Sequence, residues 1–291
     1  MELKHRLLCS TGTMVGRENG YNLLRAAEVI AKLSEENILF GGELMMLRDY
    51  YGRQREVIDT VVRSGVPYPV IHCEKDVGAE LSRAATARAA GRHAVADEER
   101  LHAHDLFELN CAFGEAIGAE AVVFHLWGGY DSDTNIEINL ESLPYLAETA
   151  DRHALSLLIE NVPSTRNDPL YNWHLIAGTS KDALFIYDTR FAALHDDAEE
   201  TLSDPLVRER LRHVHVSDFV GGVRNFSALR PILQPGEGVV DFRSTAQLLE
   251  RIGYRGRITL ESPVMHGSSL DTDTLRASLI RVRELFNTTS A

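Results

Sequence analysis

Lysine and cysteine are both scarce in this sequence. Four of the 30 basic side chains are lysines, which leaves few candidates for a nucleophile that forms a Schiff base. The three cysteines, Cys9, Cys73 and Cys111, are odd in number and widely spaced, so the sequence predicts neither a disulfide framework nor a zinc knuckle. Free thiols fit a reducing compartment best. We therefore expect the protein to be cytoplasmic.

The sequence also lacks long apolar runs and an excess of positive charge. No uncharged apolar stretch approaches the ~18 residues that a membrane span requires. The N-terminal run Leu7-Leu8-Cys9 is too short for the core of a signal peptide. The formal net charge of −13 repels a phosphate backbone, whereas nucleic-acid binders usually carry a basic stripe. We expect neither a membrane nor a nucleic acid as a partner.

The composition that is present is typical of a globular protein, with 44% hydrophobic and 25% charged residues. The 291 residues exceed the usual domain of ~100–150 residues, but α/β barrels commonly reach ~250 residues as one domain. Neither a low-complexity linker nor an internal repeat divides the chain. We expect a single domain that spans residues 1–291.

Short β-rich runs alternate with longer stretches of helical periodicity, which is the pattern of parallel strands joined by helical crossovers. The predicted strands are Arg6–Ser10, Ile38–Glu43, Tyr68–His72, Ala121–His125, Ser156–Glu160, Leu184–Asp188, His213–Ser217 and Arg257–Glu261. Eight such strands predict a (β/α)8 TIM barrel. The long interval around Glu80–Arg100 predicts a helix over the barrel mouth. A flavodoxin-like sheet is the main competitor, but residues 10–17 match its Gly-rich first turn only loosely.

The last four predicted strands each carry a potential metal ligand. Because alternate residues of a barrel strand face inward, side chains that are distant in sequence meet at the C-terminal mouth. An acid at a strand end is often only the N-cap of the next helix, but a buried carboxylate also needs a counter-charge. Three carboxylates and one imidazole suit Mn²⁺, which we favour, or Mg²⁺, and tolerate Co²⁺ or Zn²⁺. The predicted ligands are Glu160, Asp188, His215 and Glu261.

Several short motifs follow one another in order along the second half of the chain. They are Glu160-Asn161, Asp188-Thr189, His215-Val216-Ser217-Asp218, Pro235-Gly236-Glu237-Gly238 with Asp241-Phe242, and Leu260-Glu261. Together they resemble the xylose isomerase-like barrel superfamily, which contains sugar isomerases, ketose 3-epimerases of the tagatose epimerase type, inosose dehydratases and endonuclease IV. The resemblance implies that Glu160 and Glu261 act as metal ligands and as acid/base catalysts at once.

The sequence departs from this superfamily at two places. In the epimerases and endonuclease IV, a histidine usually lies three residues past the strand-six aspartate, where this chain has Phe191; His195 could replace it only if the loop bulges. The nuclease also usually has a histidine before the Gly-Glu-Gly turn, which residues 230–235 lack. Both losses remove ligands that a trinuclear zinc site needs.

Five further residues are candidates for contact with a substrate. His72 and His125 end strands where the nuclease places metal ligands, and we favour substrate contact over core packing or a second metal. Trp127 could form a wall for a sugar ring or pack in the core. Glu43 could hold a hydroxyl group or cap a helix. Arg166 lies where ketose epimerases are expected to have a substrate-binding acid, and it could instead recognise a carboxylate or phosphate.

The predicted function is a divalent-metal-dependent isomerase or epimerase that acts on a small sugar or polyol ketone through an enediolate. The metal would stabilise the enediolate charge, while Glu160 and Glu261 take and return the proton. The alternatives are a lyase of the inosose or dehydroshikimate dehydratase type, an endonuclease IV-like DNA repair enzyme, and a non-catalytic binding subunit. The expected partner is a sugar-like small molecule, and a homo-oligomer is compatible with the sequence.

Overall fold

Eight parallel strands close into a barrel in the computed structural model, which describes residues 3–287. The strands follow one another around the barrel in chain order, and β8 pairs with β1. Their bounds are β1 Leu7–Ser10, β2 Gly41–Met45, β3 Val70–His72, β4 Ala121–Phe124, β5 Ser156–Glu160, β6 Leu184–Asp188, β7 Leu211–Val216 and β8 Arg257–Leu260. The predicted (β/α)8 barrel is confirmed.

Helices surround this barrel, and their apolar faces pack on the outward-facing side chains of the strands. The α-helices are α1 Leu23–Glu35, α2 Gln54–Arg63, α3 Asp76–Ala89, α4 His93–Ala116, α5 Ile136–Asn139, α6 Leu143–Arg152, α7 Pro169–Thr179, α8 Thr189–His195, α9 Ala198–Ser203, α10 Pro205–Arg210, α11 Phe242–Arg251 and α12 Thr272–Asn287. A small antiparallel hairpin, β9 Met265–His266 with β10 Ser269–Leu270, follows β8. Within residues 3–287, every helix is too short or too polar to cross a membrane.

Two helices, α3 and α4, occupy the segment where one helix over the barrel mouth was predicted. The chain turns between them at Gly91, whose φ of 74° lies in the left-handed region that favours glycine. The first turn of α3 lies directly against the end of β4, because a Cβ on Gly78 would stand 2.0 Å from the carbonyl oxygen of His125. The helical pair therefore borders the mouth of the barrel.

The second strand begins at Gly41, three residues later than predicted. Its two glycines allow the backbone to approach the segment that leads into β3. A Cβ on Gly41 would lie 2.1 Å from the Pro67 carbonyl oxygen, and one on Gly42 would lie 2.2 Å from the Tyr68 ring. Strand β2 then runs on to Met45, which places Glu43 inside the strand rather than at its end.

Asp218 explains why the chain carries a Pro-Gly-Glu-Gly turn after β7. Its Oδ2 accepts hydrogen bonds from the N–H groups of Gly236 and Gly238 at 3.0 and 2.9 Å, and its Oδ1 accepts one from Val240 at 3.0 Å. A Cβ on Gly238 would lie 2.4 Å from Asp218 Oδ1. A glycine at this position is therefore required for the turn to close around the carboxylate.

Asp133 fixes the loop that follows β5. Its carboxylate accepts hydrogen bonds from the backbone N–H groups of Thr165, Arg166 and Asn167 at 2.7, 2.9 and 2.9 Å, and from Asn172 Nδ2 at 3.1 Å. Burial alone raises the pKa of Asp133, but these hydrogen bonds to the charged form outweigh it and lower that pKa. The ionised carboxylate thus stabilises the folded loop.

We expect Asp133→Asn to lower the melting temperature by about 3–8 °C. An amide has a single acceptor oxygen and leaves buried donors unsatisfied, which lowers the free energy of unfolding by about 1–3 kcal/mol. Each kcal/mol lowers the melting temperature of a domain of this size by ~2–4 °C. Because the pKa of Asp133 is lowered in the folded state, the wild type has its full stability advantage above pH ~4, near the unfolded-state pKa. It loses that advantage as the pH falls through the folded-state pKa.

Thermal unfolding of both proteins between pH 3 and pH 7 measures this effect. The matched control is Glu137→Gln. It removes the exposed ion pair between Glu137 of α5 and Arg166 of the loop after β5, and it should change the free energy of unfolding by less than about 1 kcal/mol. Equal melting temperatures for wild type and Asp133→Asn at pH 7 would contradict the assigned role.

Candidate active site

The four predicted metal ligands converge at the C-terminal end of the barrel. Glu160 ends β5, Asp188 ends β6, His215 lies in β7, and Glu261 directly follows β8. One potential ligand atom from each lies within 4.8 Å of those of the other three. Glu160, Asp188 and His215 are buried, and the Glu261 side chain is 8% exposed. These four residues form the acidic cluster.

Asp188 divides its two carboxylate oxygens between the fold and the acidic cluster. Oδ1 accepts a hydrogen bond from Phe191 N at 2.8 Å and caps α8. Oδ2 is buried without a hydrogen-bond partner among the described residues, and so is Oε1 of Glu261. Burial, and then the charges of Glu160 and Glu261, raise the pKa of Asp188 to about 7 against the opposing effect of Arg190. The donor set and its unpaired oxygens fit a divalent cation, which would supply the counter-charge.

His215 lies between carboxylates on both sides of its ring. Nδ1 is 2.8 Å from Glu160 Oε1 and 3.5 Å from Glu261 Oε2, while Nε2 is 3.0 Å from Glu43 Oε1. Burial lowers the pKa of His215, but the charges of Glu261, Glu43 and Glu160 outweigh it and raise that pKa well above its usual value. With Nε2–H donating to Glu43, Nδ1 is the nitrogen that could serve as a ligand, as in carboxylate–histidine–metal arrangements.

Glu43 lies beneath His215 and is fully buried. Its Oε2 accepts hydrogen bonds from His213 Nε2 at 2.9 Å and from Thr259 Oγ1 at 2.7 Å, in addition to the contact of its Oε1 with His215. Although burial alone raises the pKa of Glu43, His215 and His213 hold it well below its usual range. These contacts differ from the predicted helix cap or hydroxyl contact: Glu43 is placed to fix the orientation of the His215 ring.

We expect Glu43→Gln to weaken metal binding by about 10–100-fold, which is typical when a hydrogen-bond partner of a metal-bound histidine is replaced. A single amide oxygen cannot accept from two imidazoles and one hydroxyl at once, so the His215 ring loses its fixed orientation. Competitive titration of Mn²⁺ against a chelating dye measures the affinity. Thr259→Val is the control, because it removes one hydrogen bond to Glu43 but leaves the carboxylate, and it should stay within about threefold of wild type. An equal loss of Mn²⁺ affinity in both variants would contradict the role assigned to the Glu43 carboxylate.

His72 and His125 stand beside Glu160, at the ends of β3 and β4. His72 Nδ1 donates to the Cys73 carbonyl oxygen at 2.8 Å, which leaves Nε2 as an acceptor. That nitrogen is buried, has no hydrogen-bond partner among residues 3–287, and lies 3.6 Å from Glu160 Oε2. His125 Nε2 donates to the same oxygen at 2.5 Å, and burial lowers the pKa of His125 to about 4. A neutral donor and an open acceptor therefore flank the acidic cluster.

Trp127 and Arg166 make their contacts elsewhere. Trp127 is 1% exposed and packs in the core around the barrel, with Nε1 donating to the Pro163 carbonyl oxygen at 3.0 Å. The Arg166 guanidinium forms a two-point ion pair with Glu137, at 2.7 and 2.8 Å, on the exposed surface. Among the described residues, neither side chain hydrogen-bonds to the acidic cluster. Of the five candidates for substrate contact, the structure therefore brings His72, His125 and Glu43 to the cluster.

His195 does not replace the histidine that Phe191 displaces. Its Nε2 accepts a hydrogen bond from the backbone N–H of Ser164 at 3.3 Å, so the ring faces the loop after β5. Its Nδ1 lies 4.0 Å from Asp168 Oδ1, again outside the acidic cluster. Burial lowers the pKa of His195 to about 4. Position 191 is therefore apolar, and His195 does not take its place beside the acidic cluster.

Asn161 has a structural role that the sequence reasoning missed. Its Oδ1 accepts from Asp188 N at 2.6 Å, and its Nδ2 donates to Asp188 O at 3.3 Å. The side-chain amide thereby joins the end of β5 to the end of β6 and fixes the spacing between Glu160 and Asp188. The available signal was the Glu160-Asn161 pair itself, because a buried amide directly after a strand needs polar partners.

Comparison with known proteins gives one family and many structures of the same fold. The xylose isomerase-like TIM barrel family model matches residues 41–284. None of the curated proteins matches the chain. A D-tagatose 3-epimerase-like protein is 17% identical, with a TM-score of 0.67 over 98% of this chain and 100% of that one. The 3-keto-D-glucoside 4-epimerase from E. coli is 17% identical (TM-score 0.65; 97% and 100% covered). The D-allulose 3-epimerase from Methylomonas sp. is 15% identical (TM-score 0.65; 98% and 99% covered).

Proposed function

The chain belongs to the xylose isomerase-like TIM barrel family, and from that premise we propose that it is a divalent-metal-dependent isomerase or epimerase of a small sugar or polyol ketone. The observation that carries the proposal is the convergence of Glu160, Asp188, His215 and Glu261, with two buried carboxylate oxygens that lack a partner among the described residues. The sugar epimerases of similar fold support the same class of reaction.

Proton removal next to a carbonyl is slow because it generates an enediolate of high energy. A bound divalent ion, held by the acidic cluster, would stabilise the charge on the carbonyl and adjacent hydroxyl oxygens by several kcal/mol. Glu160 and Glu261 are the acid/base groups in this proposal: one takes the proton and the other returns it. Both lie beside His215 Nδ1, but Glu160 ends β5 whereas Glu261 directly follows β8, so they can face a substrate from two sides.

His72 and His125 are proposed to orient the substrate. The open His72 Nε2 can accept a hydrogen bond from a sugar hydroxyl, because its ring is already fixed by the Nδ1 contact with the Cys73 carbonyl. His125 holds Glu160 through Nε2 and thereby orients the carboxylate that exchanges the proton. Both histidines also belong to groups that could hold a metal ion, so a second metal is the alternative for this pair.

The donor set is rich in oxygen, and we favour Mn²⁺ over Mg²⁺, Co²⁺ or Zn²⁺ on that ground. We further propose a cytoplasmic protein whose residues 1–291 form one domain, with a sugar-like small molecule as its partner. A lyase of the inosose or dehydroshikimate dehydratase type is the second candidate, since it begins with the same proton removal and ends with loss of a hydroxyl group. Product analysis separates the two.

Deuterium exchange tests the proposal before the substrate is known. The Mn²⁺-loaded protein is incubated in D₂O with a panel of ketoses and polyol ketones, and uptake of deuterium next to the carbonyl is followed by NMR. We expect exchange with at least one compound, and none with chelator-treated protein. If the metal-loaded protein catalyses deuterium uptake into none of the compounds, the result would favour the alternative of a non-catalytic binding subunit. Efficient Zn²⁺-dependent cleavage of abasic DNA would favour the endonuclease, which the net charge of −13 opposes.

A further inference from the structure

A cavity of about 770 Å³ lies at the end of the barrel opposite the acidic cluster. Its position follows from its lining, because Val70, Ala121, Ser156, Leu184 and Arg257 are the first residues of β3, β4, β5, β6 and β8. The acidic cluster, in contrast, is built from strand ends. We call this cavity the N-terminal cavity.

The inner wall of the N-terminal cavity is apolar. Phe40, Val70, Leu158 and Leu184 line it and belong to the small hydrophobic core inside the barrel. Val70 and Leu158 are buried, whereas Phe40 and Leu184 are only partly buried. The cavity thus offers a hydrocarbon surface of the kind that binds the apolar part of a small ligand.

The rim of the N-terminal cavity is basic, although the protein as a whole is acidic. Arg6, Arg212, Arg255 and Arg257 all line the cavity. Arg257 is neutralised by a two-point ion pair with Glu120, at 2.8 and 3.0 Å. The other three arginines hydrogen-bond to backbone carbonyl oxygens and have no carboxylate within ion-pair distance among the described residues. Three guanidinium groups without a counter-ion among residues 3–287 therefore surround one cavity.

Arg6 is the least satisfied of these groups. Its Nε is buried and has no hydrogen-bond partner among residues 3–287, while one terminal nitrogen donates to the Gly256 carbonyl oxygen at 3.0 Å. Its guanidinium carbon lies 5.9 Å from the centre of the Tyr254 ring. Burial, and to a smaller extent the charge of Arg255, lower the pKa of Arg6. An anion in the cavity would offset both the desolvation and the repulsion.

His213 separates the N-terminal cavity from the acidic cluster. The imidazole lines the cavity, is 1% exposed, and directs Nε2 toward Glu43 and Thr259. Glu43 in turn lies beneath His215. A ligand in the N-terminal cavity would therefore be separated from His215 by the His213 imidazole, whose ring centre lies 5.2 Å from that of His215, in a site distinct from the proposed catalytic one.

We propose that the N-terminal cavity binds a small organic anion that carries a carboxylate or a phosphate on an apolar body. The charged group meets Arg6, Arg212 and Arg255, whose guanidinium groups match carboxylate and phosphate oxygens in pairs. The apolar body rests on the wall formed by Phe40, Val70, Leu158 and Leu184. Charge and hydrocarbon are both required, which distinguishes this ligand from an inorganic ion and from a neutral sugar.

Calorimetric titration of the Mn²⁺-loaded protein tests the proposal with four probes of graded chemistry. Benzoate and phenyl phosphate carry both features, inorganic phosphate has only the charge, and benzamide has only the ring. We expect the stronger of the two organic anions to bind at least tenfold more tightly than inorganic phosphate and benzamide, and its identity tells carboxylate from phosphate. Arg212→Gln and Arg255→Gln should each weaken that binding by at least fivefold.

Two controls make the result decisive. Arg243→Gln makes the same change at an exposed arginine in the first turn of α11, outside the cavity lining, and should leave binding unchanged. Removal of Mn²⁺ should also leave it unchanged, because the cavity lies at the other end of the barrel. The proposal is overturned if benzamide binds as well as the anions, if Arg212→Gln and Arg255→Gln bind like Arg243→Gln, or if binding disappears with the metal.

Discussion

Replacing Asp188 and His215 together by alanine is expected to remove more than half of the divalent metal from the purified protein. The metal content of the wild type should be about one ion per chain. The double variant removes one carboxylate and the imidazole from a group whose ligand atoms lie within 4.8 Å of one another. It also removes Asp188 Oδ2, a buried oxygen with no other partner among the described residues. Elemental analysis by mass spectrometry gives the metal content.

Because Asp188 also caps α8, loss of metal must be separated from loss of the cap. Asp204→Ala provides the matched control. Asp204 Oδ1 caps α10 by accepting from Leu206 N and Val207 N, and Asp204 belongs to none of the possible metal groups among the described residues. Removing such a cap costs about 1 kcal/mol of stability and should leave the metal content unchanged. Retention of most of the metal in the double variant would contradict the ligand assignment, as would equal loss in Asp204→Ala.

The sequence carries enough information to predict which strand ends meet. Period-two alternation and the order of βα units predict that Glu160, Asp188, His215 and Glu261 point toward one axis, because barrel closure brings all strand ends to one mouth. Helix capping and metal binding were alternatives for Asp188 at that level. The structure shows that one oxygen caps and the other is left over, and this depends on side-chain rotation, which no pattern in the sequence reveals.

Long-range partners account for what the sequence could not provide. The ion pair of Arg166 is with Glu137, in the preceding βα unit, and the contacts of Glu43 are with His213 and His215, about 170 residues further along. A local pattern gives the type and direction of a side chain but not the residue opposite it. The N-terminal cavity has the same origin, because its arginines lie near the starts of β1, β7 and β8 and meet only through closure of the barrel.

The two glutamates differ in their surroundings, and this sets the expected division of labour. Both oxygens of Glu160 lie close to an imidazole: Oε1 is 2.8 Å from His215 Nδ1, and Oε2 accepts a hydrogen bond from His125 Nε2 at 2.5 Å. Glu261 has one oxygen 3.5 Å from His215 Nδ1 and the other, Oε1, without a partner among the described residues. Glu160 therefore keeps the hydrogen bond from His125 when His215 Nδ1 holds the metal, whereas no side chain among residues 3–287 donates such a bond to Glu261.

We expect Glu160→Gln and Glu261→Gln each to lower turnover by at least about 10²–10⁴-fold, which is the usual contribution of a general acid or base. Each should keep part of its metal, because an amide oxygen can still coordinate. If the reaction is an epimerisation, one variant should still exchange the substrate proton with solvent while failing to invert the centre, since one face keeps its base. Deuterium uptake and product formation are measured side by side, with the metal content of each sample determined.

Glu80→Gln is the matched control for removing a buried glutamate. Glu80 lies on α3, is 5% exposed, and pairs with Arg48 and with His102 of α4, outside the acidic cluster. The turnover rate of Glu80→Gln should therefore stay within about threefold of wild type. The glutamate variants then report on proton transfer rather than on loss of any buried carboxylate. If either one turned over near the wild-type rate with its metal in place, that carboxylate would be a ligand only, and the proton would be handled by His72 or His125, which flank Glu160.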